Sequence, residues 1–174
     1  DIQRFKMRDG YKMSGKLKVL LVARLLWQKG VGDFVNVYKK LKEVGLDRYY
    51  IFTLVGEQDN EHPDKLLDDD VREIEEIGIE WVPWTDLIEK YYADNDVLLF
   101  MSKREGGPRA ILEASSTGMP TIGSNCIGVR ELIFDGETGY RVETGAIDDI
   151  IEKLEYYRAN PSLIADHGRA ARKM

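Results

Sequence analysis

Cysteine, histidine and long apolar runs are scarce in this chain of 174 residues, and each shortage excludes a class of protein. The single cysteine, Cys126, excludes an internal disulfide and suits a reducing compartment. No apolar run reaches the roughly 18 residues that a membrane-spanning helix needs. The two histidines, His62 and His167, have no set of metal ligands near them, so neither is predicted to be catalytic. The sequence therefore predicts a cytoplasmic protein, and these residues indicate no metal or other cofactor.

Positive charge is also in the minority. The chain carries 25 Lys and Arg against 31 Asp and Glu, for a formal net charge of −6. Such a surface has no general attraction for nucleic acid, so any bound phosphate must be held by local groups. The chain opens on Asp1 rather than Met, which suggests a piece of a longer protein.

Short apolar runs alternate with longer amphipathic segments, a pattern typical of strands and helices around a parallel sheet. This predicts the α/β class, with a Rossmann-like parallel sheet flanked by helices. Strands are predicted at 17–23, 49–55, 79–82, 97–101, 120–123 and 139–142. Helices are predicted at 33–44, 65–77, 87–93, 108–117, 129–134, 148–158 and 161–172. Residues 17–174 are expected to form one domain, and residues 1–16 a connector or a peripheral strand.

The predicted start of the first helix depends on one side chain. Asp33 is expected to cap the amino end of the helix, and Gly45 to end it.

The segment from Lys103 to Ala114 has the pattern of a glycine loop that opens into a helix. Gly106 and Gly107 let the backbone approach a ligand closely, and Pro108 suits the first position of a helix. Free N–H groups at the start of a helix attract anions. Two glutamates, Glu105 and Glu113, flank this loop. Taken alone, they would be ordinary surface charges. Together with the loop they favour a site for a phosphorylated sugar.

Several motifs in order along residues 17–173 give the chain a resemblance to the C-terminal, donor-binding half of a GT-B glycosyltransferase of family 4 (group 1). The motifs are Val22-Ala23-Arg24-Leu25 with Lys29-Gly30, Leu54-Val55-Gly56, Ala93-Asp94-Asn95-Asp96-Val97 with Ser102, Glu105 with Glu113, and Gly136-Glu137-Thr138-Gly139. The resemblance implies that an N-terminal acceptor domain of the same polypeptide is missing from this chain. Any catalytic group on the acceptor side would lie in that domain.

The resemblance also implies roles for particular residues. Glu105 would be the catalytic residue that positions the donor sugar, together with Gly106 and Gly107. Glu113 would bind the ribose, because a carboxylate can accept hydrogen bonds from both hydroxyls of a vicinal diol. The remaining residues are assigned to the donor diphosphate (Arg24, Lys29, Gly107, Arg109 and Ala110) and to a loop that meets the base (Val82 and Trp84).

Glycosyl transfer needs positive charge near the leaving group, since a departing nucleoside diphosphate develops negative charge. No Asp-x-Asp motif lies between a strand and a loop, and the acidic run 68–70 is interpreted as a solvated helix face. Arg24 follows the first strand, at the edge where open α/β sheets bind ligands, and Lys29 lies in the loop beyond. We therefore expect these cations and the backbone amides to act without a metal.

The glycine loop departs from the family pattern in a way that favours one subgroup. Where many members have Glu-Gly-Phe-Gly-Leu, this chain has Glu105-Gly106-Gly107-Pro108-Arg109. That form resembles enzymes that add hexose or N-acetylhexosamine to lipid-linked oligosaccharides and surface polysaccharides. The resemblance implies a UDP-linked donor, retention at the anomeric carbon, and peripheral membrane association through the missing half. The fragment alone is expected to bind donor weakly and to transfer nothing.

Two other functions remain open from the sequence. A nucleotide-sugar epimerase of the same fold would differ mainly in the missing half. A non-catalytic nucleotide-binding module shares the alternating pattern. A dinucleotide domain should carry Gly-x-Gly-x-x-Gly after its first strand, but Ala23-Arg24-Leu25-Leu26-Trp27-Gln28 follows here.

Overall fold

The computed structural model of the protein describes residues 3–8 and 10–174, in which strands and helices alternate. The strands are β1 (Leu17–Val22), β2 (Tyr50–Val55), β3 (Glu80–Val82), β4 (Val97–Phe100), β5 (Thr121–Ser124) and β6 (Gly139–Val142). The helices are α1 (Val31–Glu43), α2 (Asp68–Ile77), α3 (Ile88–Asp94), α4 (Arg109–Thr117), α5 (Ile147–Ala159) and α6 (Ser162–Arg172). Across this described part of the chain, no helix is both long enough and apolar enough to cross a membrane. The predicted α/β class is confirmed.

Within the described residues the six strands form one sheet in the order β3-β2-β1-β4-β5-β6, and every neighbouring pair is parallel. The chain builds outward from β1 to β3 and then returns to place β4 on the other side of β1. In open α/β sheets, ligands bind where the strand order reverses in this way, beyond the carboxyl ends of the strands. The loops that follow β1 and β4 therefore flank the expected binding crevice.

The central strands are buried on both faces, which explains their nearly continuous apolar sequence. Leu20 and Leu21 of β1 and Leu98 and Leu99 of β4 have no exposed surface. Helix α1 covers one face with an apolar stripe at helical spacing, and its Phe34 ring lies 4.9 Å from the ring of Phe52 on β2. This packed centre fixes the positions from which the functional loops depart.

The ends of the elements differ from the sequence prediction where side chains make contacts across the fold. Helix α1 begins at Val31, directly after Gly30, so the predicted cap at Asp33 is wrong. The Asp33 carboxylate instead accepts a hydrogen bond from the Gly145 amide at 2.9 Å. Helix α2 begins only at Asp68, where the amide of Leu67 donates to the Asp70 carboxylate at 2.7 Å. The predicted helix at 129–134 is reduced to a short 3₁₀ turn.

The described part of the leading segment contains turns and coil and no strand. Phe5 is buried, and its ring meets the Tyr92 ring edge-on at 5.7 Å. The Phe5 carbonyl accepts a hydrogen bond from Nη1 of Arg172, at the end of α6, at 3.0 Å. The Arg8 guanidinium donates to the Gly118 carbonyl at 2.8 Å. The segment therefore packs onto α3, α4 and α6.

A buried histidine makes the stability of this fold dependent on pH. His167 on α6 is 5% exposed, and its Nδ1 lies 2.9 Å from the Tyr157 hydroxyl. Burial lowers the pKa of His167 below its ordinary value of 6.5, although Asp166, the Gly136 backbone and Asp135 oppose this shift. The folded state therefore disfavours the protonated ring.

We expect acid to destabilise the protein through His167. Below about pH 6.5, His167 is protonated in the unfolded chain but stays neutral in the folded chain. The free energy of unfolding therefore decreases as the pH falls from 6.5 toward the pKa of His167 in the folded protein. For one proton the loss is at most about 1.4 kcal/mol per pH unit. Urea unfolding at pH 7.5, 6.5 and 5.5 should show a shallower pH dependence for His167→Asn than for the wild type. Equal slopes for the two proteins would contradict this assignment.

Candidate functional site

The loop after β1 is held in place by the loop after β2. The Leu25 amide donates to the Glu57 carbonyl at 2.9 Å, and the Gln28 amide donates to the Asp64 carboxylate at 2.6 Å. The loop ends at Gly30, which has φ +83°. These contacts define the position of Lys29, in the turn just before Gly30.

Gly30 is where this loop meets the end of β4. A Cβ at Gly30 would lie 2.5 Å from the carbonyl carbon of Met101. Directly beyond, the Lys103 amide donates to the Gln28 carbonyl at 2.9 Å. The loops after β1 and β4 are thus joined backbone to backbone at the reversal of the strand order.

This junction brings Lys29 and Glu105 together. Lys29 Nζ lies 2.8 Å from Glu105 Oε1, and the two side chains are only 22% and 11% exposed. The pair lies in an open cleft of about 670 Å³, which we call the sugar cleft because Glu105 is the residue predicted to position the sugar. Its lining residues are Lys29, Lys103, Arg104, Glu105, Gly106 and Ile127. A cation and a carboxylate that are 76 residues apart in the sequence therefore share one half-buried site.

The backbone of Glu105 rests against Gly128, in the loop after β5. Gly128 has φ +88°, and a Cβ there would lie 2.3 Å from the Glu105 carbonyl oxygen. No larger residue fits without moving Glu105.

We expect Gly128→Ala to displace Glu105 and so to weaken ligand binding, in addition to weakening the fold. Gly145→Ala is the matched control, because Gly145 has a similar φ of +80° and no atom within 4 Å of its Cβ position. Both variants carry the strain of a left-handed alanine, about 1–2 kcal/mol. Nucleoside diphosphate titration should show a loss of affinity in Gly128→Ala alone. Equal affinities in the two variants would show that Glu105 does not depend on this contact.

Glu113 and Arg109 line a second cleft, of about 420 Å³, which we call the nucleoside cleft because Glu113 is the residue predicted to bind ribose. It lies between α3, α4 and the leading segment. Its lining residues are Arg4, Phe5, Ile88, Arg109, Leu112, Glu113 and Ser116. The segment 105–109 contributes residues to both clefts, so the predicted ligand contacts are divided between two neighbouring spaces.

The glycine loop leaves amides free between the two clefts. Gly106 and Gly107 have no atom within 4 Å of a Cβ position, so their lack of side chains keeps this space open. Within the part of the chain that the structure describes, the amides of Gly107, Arg109 and Ala110 donate to no backbone carbonyl. Pro108 precedes the helix with φ −72° rather than opening it. The first helical N–H groups are therefore those of Arg109 and Ala110.

Besides Gly107 and Ala110, three predicted site residues line neither cleft: Arg24, Val82 and Trp84. Arg24 Nη1 forms an ion pair with Asp59 at 2.7 Å, and the Arg24 side chain is 56% exposed. The Val82 carbonyl accepts a hydrogen bond from the Gly56 amide at 3.0 Å. Trp84 is 61% exposed beyond β3. The structure thus brings Lys29 and Glu105 together but does not bring Arg24 to them.

In residues 3–8 and 10–174, no group of three or more His, Cys, Asp or Glu side chains is arranged to hold an ion. The positive groups near the loop are side chains of Lys29, Lys103, Arg104 and Arg109.

The sequence of the chain matches the family described as "Glycosyl transferases group 1" over residues 3–174. The chain belongs to the group 1 glycosyltransferases. This confirms the resemblance given by the motifs, and the six-stranded parallel sheet is that of one half of a GT-B architecture.

Curated relatives of this group 1 glycosyltransferase include three bacterial proteins. An uncharacterized 41.2 kDa protein in the cps region of Klebsiella pneumoniae is 31% identical over 152 residues, which are 86% of this chain and 39% of that protein. The amylovoran biosynthesis glycosyltransferase AmsD of Erwinia amylovora is 28% identical, covering 88% of this chain and 42% of the relative. The N,N'-diacetylbacillosaminyl-diphospho-undecaprenol alpha-1,3-N-acetylgalactosaminyltransferase of Campylobacter jejuni is 29% identical, covering 78% and 34%. The chain spans about two fifths of the length of such relatives.

Solved structures show the same fold as this glycosyltransferase chain. The C-terminal domain of the group 1 protein LpcC from Francisella tularensis has a TM-score of 0.80 at 21% identity, covering 99% of this chain and 94% of that one. HepE from Anabaena, solved in complex with UDP and glucose, has a TM-score of 0.78 at 19% identity, covering 91% and 43%. The likeness to LpcC spans a C-terminal domain of nearly the same extent.

Proposed function

We propose that this chain is the donor-binding domain of a retaining, metal-independent glycosyltransferase. It moves a sugar from a nucleoside-diphosphate sugar, UDP-linked by preference, to a lipid-linked oligosaccharide or surface polysaccharide. The observation that carries the proposal is the half-buried pair of Lys29 and Glu105 at the strand-order reversal, beside a glycine loop with free amides.

The diphosphate is bound between the two clefts. The Lys29 ammonium supplies a point charge, and the amides of Gly107, Arg109 and Ala110 supply directed donors. Arg109 adds a second cation at the edge of the nucleoside cleft. Together these groups stabilise the charge that develops on the leaving diphosphate. Arg24 contributes to diphosphate binding only if the ligand breaks its ion pair with Asp59.

The pair also links phosphate binding to sugar binding. Without a ligand, each member of the pair satisfies the other at 2.8 Å. A diphosphate oxygen competes with Glu105 for the Lys29 ammonium, because phosphate carries the greater negative charge. Glu105 is then able to accept hydrogen bonds from the sugar hydroxyls that Gly106 and Gly107 leave room for. Positioning the sugar in this way lowers the barrier by orientation.

The nucleoside occupies the second cleft. Glu113 is half-buried on its wall, and its two carboxylate oxygens can accept both ribose hydroxyls. The resemblance assigns the base to the loop that holds Val82 and exposed Trp84, although neither residue lines the cleft. HepE, a solved structure with this fold, binds UDP and glucose, which supports a uridine nucleotide here.

The acceptor and the general base belong to an N-terminal domain of the same polypeptide. The chain matches about two fifths of AmsD and of its other curated relatives, which supports a missing half. The Campylobacter relative acts on an undecaprenol-linked sugar, and AmsD serves amylovoran biosynthesis, so a lipid-linked or polysaccharide acceptor follows by analogy. We place the enzyme in the cytoplasm, at the inner face of the membrane, with no nucleic acid partner.

Calorimetry with UDP, GDP, ADP and their sugars tests this proposal on the wild type and on Glu113→Gln. We expect one nucleoside diphosphate to bind without magnesium. Glu113→Gln should lower its affinity about tenfold, because the substitution removes hydrogen bonds to a charged group. Glu76→Gln, on the exposed face of α2, is the control and should bind as the wild type does. Absence of nucleotide binding, or binding only with magnesium, would contradict the proposal. Sugar transfer by this chain alone would contradict the role of a missing domain.

A further inference from the structure

Ile127 is a large apolar side chain exposed in the otherwise polar sugar cleft. It is 69% exposed, more than any other large apolar side chain in the part of the chain that the structure describes. The other residues that line the cleft are four charged residues and a glycine: Lys29, Lys103, Arg104, Glu105 and Gly106. An exposed isoleucine is ordinary on an open surface. Inside a cleft for a sugar, it gives the ligand one apolar contact among charged groups.

The turn that carries Ile127 keeps this side chain at its tip. The Cys126 carbonyl accepts hydrogen bonds from the amides of Val129 at 3.2 Å and Arg130 at 3.0 Å. Val129 has no exposed surface, and the Cys126 thiol donates to the Ser102 carbonyl at 3.2 Å. The residues on both sides of the tip are therefore anchored in the fold, and Ile127 is left facing the cleft.

The same turn rests against Glu105. At Gly128, the residue after Ile127, a Cβ would lie 2.3 Å from the Glu105 carbonyl oxygen and 3.3 Å from the Glu105 Cβ. The Gly128 amide donates to the Glu131 carboxylate at 2.5 Å, which holds the turn in this position. Ile127 is thus one residue away from the backbone contact of the carboxylate that is proposed to position the sugar.

Two cations of the sugar cleft have side chains that are free to bind an oxygen atom. Among the described residues, the Lys103 and Arg104 side chains form no ion pair and no hydrogen bond. Only their backbone groups are used, since the Lys103 amide donates to the Gln28 carbonyl and the Arg104 carbonyl accepts from the Ser102 hydroxyl. The cleft therefore combines free donors, a carboxylate acceptor and one apolar contact.

An acetamido group matches this combination, because it has a carbonyl oxygen, an N–H group and a methyl group. We propose that Ile127 is a specificity-determining residue that contacts the acetyl methyl of a 2-acetamido-2-deoxy sugar, so that the donor carries an N-acetylhexosamine rather than a hexose. The inference rests on the proposed function, in which this cleft binds the sugar of the donor. A 6-deoxy sugar supplies a methyl without the amide, and a uronic acid supplies a carboxylate without the methyl.

The methyl group is the part of the acetamido group that discriminates between the sugars. A hydroxyl of the parent hexose can also accept a hydrogen bond from Lys103 or Arg104, so polar contacts separate the two sugars little. Burying one additional methyl group against Ile127 corresponds to about a fourfold gain in affinity. Replacing Ile127 by a polar residue should therefore remove the preference.

The test is calorimetry with the nucleoside diphosphate that binds best, carrying either glucose or N-acetylglucosamine, and either galactose or N-acetylgalactosamine. The wild type should bind the N-acetylated form about fourfold more tightly in the series that it prefers. Ile127→Thr keeps the branch at Cβ but adds a hydroxyl, and should bring this ratio close to one. Ile127→Val should give an intermediate ratio. Val44→Thr is the matched control, since Val44 is 61% exposed at the end of α1, and should keep the ratio of the wild type.

The outcomes separate this inference from the function on which it rests. If the wild type binds no nucleoside diphosphate, the proposed function fails and the inference fails with it. If it binds one, but its hexose and N-acetylhexosamine forms bind equally in both series, only the inference fails. A full preference in Ile127→Thr, or tighter binding of the 6-deoxyglucose or glucuronic acid form, also overturns it. Thermal unfolding checks that Ile127→Thr is folded, and Ile127→Val carries the test if it is not.

Discussion

Lys29→Met should lower the affinity for a nucleoside diphosphate by about 100-fold. Hydrogen bonds to charged groups contribute about 1.5–3 kcal/mol, and the substitution removes the cation that faces the diphosphate. It also leaves the Glu105 carboxylate, 11% exposed, without its partner and able to repel phosphate. Titration with UDP, GDP and ADP measures the change.

A second lysine provides the control for Lys29→Met. Lys39 on α1 forms an ion pair with Glu73 at 2.6 Å, with the two side chains 39% and 56% exposed. Exposed pairs of this kind contribute about 0–1 kcal/mol, so Lys39→Met should bind nucleotide normally. The double variant Lys29→Met/Glu105→Gln should recover stability but not affinity, since it removes the uncompensated charge without restoring the cation. Wild-type affinity in Lys29→Met would show that the cation has no part in binding.

Gly30→Ala should lower the free energy of unfolding by about 3 kcal/mol or more. A left-handed alanine costs about 1–2 kcal/mol, and overpacking a tight site adds about 1–3 kcal/mol. Both apply, because Gly30 has φ +83° and its Cβ would lie 2.5 Å from the backbone of Met101. Neither backbone can yield without separating the loops after β1 and β4. Urea unfolding measures the loss.

Gly15→Ala isolates the strain from the clash. Gly15 has φ +80° and no atom within 4 Å of its Cβ position. The control should therefore lose only the strain, about 1–2 kcal/mol. If Gly15→Ala and Gly30→Ala lower the free energy of unfolding by the same amount, the contact with Met101 adds no cost. The junction between the loops would then be looser than the 2.5 Å distance implies.

The order of strands and helices was accessible from sequence because each element carries its own periodic signal. The runs at 17–23 and 97–101 are apolar enough to predict buried strands, and the structure places β1 and β4 there. The residues that cap the helices were harder to predict from the sequence. Asp33 has the residue type of a cap, but its carboxylate is used by the Gly145 amide, 112 residues away. Local patterns cannot report such a partner.

The candidate site shows the same limit. Lys29 and Glu105 were predicted from the resemblance, and the fold brings their side chains to 2.8 Å. Arg24 was assigned to the diphosphate, yet its partner in this structure is Asp59. Residue types and their order were enough to predict which loops form the candidate site. The hydrogen-bond or ion-pair partner of each side chain could be identified only from the three-dimensional structure.

The hydrogen bond between Arg172 and the Phe5 carbonyl joins residues that are 167 positions apart. Chains are synthesised from the N-terminus at about 5–20 residues per second, so Phe5 is made long before the helix that holds it. The Phe5 ring gains its partner Tyr92 once α3 has been made, but the Phe5 carbonyl must wait for Arg172 until α6 has emerged. The contact that ties this wall of the nucleoside cleft to α6 is then among the last to form in the biosynthesis of the domain.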